Sequence, residues 1–210
     1  MDQAESPHAV VPLEAGAGPE NPPCPACGEP LFGWIARRHG LAGPVRRCES
    51  CGLGVVGEAG SAEDVLHELD ALRDGDTIRI ENRAGFACSL GNAGWSGLNP
   101  QARHLFTLEA VRRLVARRDQ VVKSRRWRPL AGLAATWQTL LNSVTFGHNV
   151  AMSALRDAPT RPAAKPWQRR IDALASIVLA LPALLIALPV ELAGGLSGRG
   201  AVISIRVELF

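Results

Sequence analysis

The sequence predicts an α/β fold behind a small metal-stapled module. Three observations predict it. Two Cys-x-x-Cys pairs lie between residues 24 and 51. Downstream, stretches of helical period alternate with stretches of strand period. The closing segment then alternates apolar and polar residues, as a half-buried strand does.

The chain has 210 residues, enough for one medium domain or two small ones. Its 47% hydrophobic and 20% charged residues are ordinary for a globular protein, so a core can form. A net charge of +3 is small for this length and argues against a dedicated nucleic-acid binder. Arg37, Arg38, Arg46, Arg47, Phe32 and Trp34 offer some of the basic and aromatic residues that role would need at the ribbon tips. Residues 1–23 are rich in Pro, Gly, Ala and Glu without a period, which predicts a disordered leader. They lack the basic and apolar regions of a secretory signal. The expected compartment is therefore cytoplasmic and reducing, where paired cysteines bind metal more often than they form disulfides.

Residues 24–57 form the cysteine module. Cys24-Pro-Ala-Cys27 and Cys48-Glu-Ser-Cys51 are separated by 20 residues. Each pair sets two thiolates on one tight knuckle. Two knuckles supply four soft, charged ligands in a tetrahedron, which suits Zn(II). Gly28 and Gly52 follow the second cysteine of each pair, where the knuckle needs a permissive backbone. The pattern predicts a zinc ribbon holding one ion through Cys24, Cys27, Cys48 and Cys51. A redox dithiol, unrelated free thiols and an iron–sulfur centre are the competing readings. With four protein thiolates no position is open to water, so the metal is expected to be structural. Cys88 reads as a buried or loop thiol.

The α/β region is expected over 61–210. Ser61 caps a helix over 61–74, with Asp64 at the third helical position of a capping box and Gly75 as its stop. Thr77–Glu81 alternates as a strand. Residues 83–106, rich in Gly and Asn, read as loop. Thr107 caps a helix through Arg118, with Leu108, Val111, Leu114 and Val115 on its apolar face. Glu109 in the first turn and Arg117 and Arg118 in the last complement the helix dipole. Val121-Val122 opens a strand. Residues 134–157 read as helix, and 158–168 as a Pro-rich basic linker. In the closing segment Ile203, Ile205, Val207 and Leu209 line one strand face.

These stretches resemble the zinc-ribbon-bearing class I S-adenosylmethionine-dependent methyltransferases of bacteria. Cys24-Pro-Ala-Cys27-Gly28 and Arg47-Cys48-Glu49-Ser50-Cys51-Gly52-Leu53 are similar to their N-terminal ribbon. Leu72–Asp76 followed by Thr77–Asn82 is similar to the segment at their fifth sheet strand. Trp95, Leu98, Pro100 and Arg103–Thr107 match a "W … P-x-H-x-x-F-T" stretch leading into a helix. Val121-Val122 and Ala201–Leu209 correspond to the last two strands. The resemblance implies a Rossmann-like half-sheet and S-adenosylmethionine as cofactor. It marks Asn82 on the cofactor side and His104 as a base or substrate-orienting residue. Read as a residue alone, with no cofactor site nearby, His104 better suits a packed loop histidine seating the helix from Thr107.

The sequence departs from that family in one respect. The family follows its ribbon with about a hundred residues carrying a strand, a glycine loop and a helix for the cofactor, whose backbone must approach the ligand closely. Here the ribbon runs almost directly into the helix before the fifth strand. Gly52, Gly54 and Gly57 spell G-x-G-x-x-G, but they follow a zinc knuckle and read as the turn closing the ribbon. The chain therefore reads as a truncated member, impaired in catalysis on its own. The alternative is a non-catalytic interaction or accessory protein. A half-sheet leaves an edge and an apolar face open, which implies a partner chain or a homo-oligomer.

Ala173–Val190 is an uncharged run of 18 residues, the core of an apolar helical insertion over 171–193. It would be about 27 Å long as a helix, barely the hydrocarbon thickness. Lys165, Arg169, Arg170 and Trp167 precede it like a flank at a membrane surface. Pro182 and Pro189 argue against a full span. Membrane-surface contact, making the protein peripheral, and packing on the sheet are the two expectations. The Arg125-Arg126-Trp127-Arg128 run is a further candidate for phosphate or headgroup contact.

Overall fold

The computed structural model describes residues 21–35, 43–98, 101–155, 160, 162–163 and 165–210. The leader through residue 20, Arg37, Arg38, Pro100 and part of the 158–168 linker lie outside the described residues. The architecture is mixed α/β with two four-stranded sheets, and every strand pairing is antiparallel.

The first sheet is the ribbon. Strands β1 (Leu31–Ile35), β2 (Val45–Cys48) and β3 (Gly54–Val56) form a meander. Its fourth strand comes from far along the chain, through β3 pairing with His104–Leu105 (below, β6). Helix α1 (Ala62–Ala71) starts as the sequence predicts. The Asp64 amide donates to Ser61 Oγ at 3.2 Å, and the Ser61 amide donates to the Asp64 carboxylate at 2.8 Å. The Ser61 hydroxyl also donates to that carboxylate at 2.7 Å, and it and the Ser61 amide hold the Asp64 carboxyl below its ordinary range. Val65, Leu66 and Leu69 form the buried face.

The helix does not reach Gly75. It ends at Leu72, and β4 (Arg73–Asp74) turns back onto β5 (Thr77–Glu81). Gly75 has φ +57° because it opens a two-residue hairpin turn, which demands a left-handed residue. Nor is the 83–106 stretch plain loop. It contains α2 (Phe86–Gly91), a 3-10 turn over Asn92–Gly94, and β6 (His104–Leu105). These elements are short and owe their form to neighbours: Gly91, for example, leaves room for the Thr139 side chain.

Helix α3 (Leu108–Ala116) is capped by Thr107, whose Oγ1 accepts from Ala110 at 3.0 Å. Strand β7 (Gln120–Trp127) follows and runs past the Val121-Val122 pair. The helix expected over 134–157 is two helices, α4 (Pro129–Asn142) and α5 (Val150–Leu155). Asp172 takes the Phe146 and Gly147 amides between them, which holds that link out of the helical path. The apolar insertion is also two helices, α6 (Pro166–Val178) and α7 (Ala180–Leu196), bent by 60°. Pro182 accounts for the break: its ring clashes with the carbonyl four residues earlier, on Val178, the last residue of α6.

The second sheet has the order β4-β5-β8-β7, with the closing strand β8 (Val202–Leu209) inserted between β5 and β7. Ile203, Ile205 and Val207 are buried as the alternation predicts. Leu209 is 77% exposed, because β8 outruns β5 and pairs there only with β7. The main core joins both sheets. Leu31 and Leu53 of the ribbon pack with Val65, Leu69, Val111 and Ile205 of the rest. Each such fully buried aliphatic side chain contributes roughly 1.5–3 kcal/mol.

Candidate metal centre

Two knuckles and the core around them converge four sulfurs. The Gly28 amide donates to Cys24 O at 2.7 Å, and the Gly52 amide to Cys48 O at 3.0 Å, closing one turn at each pair. Gly28 and Gly52 take φ +83° and +76°, the left-handed values that the knuckles need. The four Sγ atoms all lie within 4.8 Å of one another. Cys24 and Cys51 are 3.6 Å apart, and Cys27 and Cys48 are 3.4 Å apart. A tetrahedral zinc with Zn–S bonds of about 2.3 Å sets its sulfurs about 3.8 Å apart. The cluster is thus able to hold a metal ion, and its spacing and soft donor set are compatible with zinc.

The sulfurs divide in proton affinity. The hydrogen bond shared with Cys51 lowers the Cys24 pKa to about 5. The same bond raises Cys51, while burial pushes Cys27 up. Arg83 donates from Nε to Gly52 O and lies 4.9 Å over the Trp34 ring. Burial lowers the Arg83 pKa. Arg117 reaches Ala26 O at 3.3 Å. Such outer partners hold the knuckles in place and offset the charge of four thiolates. Thr107 Oγ1 donates to Cys51 O at 2.6 Å while capping α3, so the centre is tied to the α/β body.

The G-x-G-x-x-G glycines belong to this ribbon. Gly52 closes the knuckle. A Cβ on Gly54 would sit 2.9 Å from Leu105, so the β3–β6 pairing needs glycine there. Gly57 has φ +80°, and its carbonyl accepts from Arg46 at 3.1 Å.

The other expected site residues are scattered. Asn82 is buried, donates to Gly200 O at 3.1 Å and accepts from Ala84 at 3.1 Å. Its amide thus forms the turn leaving β5. His104 is buried on β6, with Nδ1 2.6 Å from the Glu68 carboxylate of α1. Glu68 lies 36 residues away, and no sequence signal links the two. Both line a cleft of about 440 Å³ with Ile80, Trp95, Leu105 and Val202. In the arginine run, Arg125 donates to Gly198 O at 3.1 Å and Trp127 turns inward to Glu191 at 2.6 Å.

Cys88 is buried on α2, and burial raises its pKa to about 12. That separates the five cysteines chemically. With zinc bound, iodoacetamide is expected to label none of them in the native chain. After denaturation with a chelator it labels all five, with Cys88 added only on unfolding. Mass spectrometry of the alkylated protein reads the count. Rapid labelling of Cys24 or Cys51 in the zinc-loaded chain would contradict the expectation.

Comparison of the chain with protein-family models, curated proteins and solved structures finds no match.

Proposed function

We propose that this chain is a methyltransferase-related zinc-ribbon protein that acts as a non-catalytic accessory module, with one structural zinc on Cys24, Cys27, Cys48 and Cys51. The observation that carries the accessory role is the β4–β5 hairpin. A cofactor half joining this sheet would have to add beside β5. There Arg73 and Asp74 pair with Ile78 and Thr77, and the Arg79 amide donates to Leu72 O at 3.1 Å. The chain thus covers much of that edge with its own backbone, as proteins do to stop further pairing. The family relation is supported by strand neighbours. The three strands that the resemblance aligns, β5, β7 and β8, lie side by side, with β5 and β7 each antiparallel to β8.

A second reading, methyl transfer on this chain, draws on the His104–Glu68 pair beside its cleft, where a carboxylate orients an imidazole as in general-base catalysis. One titration separates the two. Calorimetry of the zinc-loaded chain with S-adenosylmethionine at millimolar concentration is expected to give no binding heat, beside a metal content near one zinc per chain. A saturable isotherm abolished by His104→Ala would establish the catalytic reading instead.

A further inference from the structure

Helices α6 and α7 are built inside out. On α7 the buried residues are Ala183, Ala187, Glu191 and Gly194, which share one face. Leu181, Leu185 and Leu196 are 64%, 65% and 86% exposed. On α6 the buried residue is Asp172, while Leu174 and Ile177 are 62% and 75% exposed. A helix on a protein surface in water turns its large apolar side chains inward. Small residues at the helix contact with leucines outside is the arrangement of helices surrounded by lipid. The polar groups turned inward are satisfied: Glu191 accepts from Trp127, Thr136 and Ala201, and Asp172 from two amides.

Leu174, Ile177, Val178, Leu181, Leu185 and Leu196 are each more than three-fifths exposed, and a contiguous apolar patch of that kind on a soluble monomer marks an interaction site. Cations stand at one end of it: Lys165, Arg169 and Arg170 are exposed at the start of α6 beside Trp167. Cations so placed attract anionic headgroups, and tryptophan favours the headgroup level. Among the described residues no single helix is long and apolar enough to cross a membrane. One flank of α7 is held to α4, with Trp137 donating to Ala180 O at 2.8 Å. Lipid can therefore reach only the outer side.

We propose that the outer face of α6 and α7 docks the protein on an anionic phospholipid bilayer, entering one leaflet without crossing it. The proposal stands independently of the methyltransferase relation, since it uses neither the cysteines nor the β4–β5 hairpin.

Flotation of the full, zinc-loaded chain with vesicles tests it. The chain is expected to float with phosphatidylcholine–phosphatidylglycerol vesicles and much less with phosphatidylcholine alone. Its tryptophan emission shifts to the blue on binding, and Trp167→Phe removes most of that shift. Lys165→Glu with Arg170→Glu lowers binding at least about tenfold at low salt. Leu181→Glu with Leu185→Glu abolishes it. These positions are exposed, so the variants keep their zinc content and circular dichroism. A wild-type chain that stays unbound with both vesicle types overturns the proposal, as does undiminished flotation of the double leucine variant. A solution dimer that Leu185→Glu converts to a monomer, without vesicle binding, assigns the face to a second copy instead. Resistance to carbonate extraction overturns the one-leaflet geometry in favour of a span.

Discussion

Chelating the metal from the zinc-loaded chain is expected to unfold far more than the ribbon. Zinc contributes about 10–16 kcal/mol to small four-ligand modules at neutral pH. A domain of ordinary size keeps only about 5–15 kcal/mol in total. The two cannot be separated here, because the ribbon shares its core with the body. Cys24, Cys48 and Cys51 sit in one cluster with Val65, Leu69, Val111 and Ile205. Thr107 caps α3 and holds Cys51 O with the same hydroxyl. Loss of the knuckles therefore loosens the start of α3 and uncovers the inner face of α1. Cys51→Ser, or a strong chelator, should remove most far-UV helical signal and the near-UV tryptophan signal in one transition, restored by added zinc after chelation. A loss confined to the ribbon, with the helical signal intact, would show that the body folds without the metal.

Glu191→Ala is the second large effect expected, and it acts through a different part of the molecule. Glu191 is 3% exposed and gathers three donors: Trp127 Nε1 at 2.6 Å, Thr136 Oγ1 at 2.9 Å, and the Ala201 amide at 3.1 Å. It joins β7, α4, α7 and the entry to β8. Alanine would leave those donors buried without an acceptor and open a cavity, at a cost of about 3–5 kcal/mol. The site has been cleared for the carboxylate. A Cβ on Gly132 would come within 1.9 Å of Glu191 Oε1, and one on Gly195 within 2.3 Å of the Trp127 ring. Gly132→Ala should therefore also destabilise, while Glu191→Gln, which keeps one acceptor oxygen, should fall between wild type and alanine. Urea unfolding of the zinc-loaded variants measures the series. Equal stability of Glu191→Ala and wild type would mean that water satisfies the donors.

What the sequence made legible is local. The knuckle spacing, the Ser61 and Thr107 caps and the alternation of the closing strand each depend on a few neighbouring residues, and each forms as read. The boundaries that failed depend on distant partners. Leu72 continues the apolar register of α1, so nothing nearby shows that Arg73 will leave the helix to pair with Ile78. Phe86–Gly91 is too short to show a period, and its form comes from packing against α4. The break at Leu179 was written in Pro182, but four residues downstream of where it acts. The cysteine cluster was fully legible because metal ligation fixes residue type and spacing together. Glu68 beside His104, and the donors around Glu191, were not, because chain separation hides such pairs from a single sequence.

The position of β8 has a consequence for how the molecule is made. The last strand of the chain is central in its sheet, pairing with Thr77–Glu81 on one side and Gln120–Trp127 on the other. Neither of those strands has its main partner until residues beyond 200 have left the ribosome. The ribbon's first three strands, by contrast, are neighbours in sequence and can close as soon as they emerge. Completing this sheet is thus a long-range insertion, the kind of step that is slow because a large loop must close first. In the interval, the free edge of β5, the whole of β7 and a greasy helix pair are open to other chains, so the nascent protein depends on chaperone cover until β8 inserts.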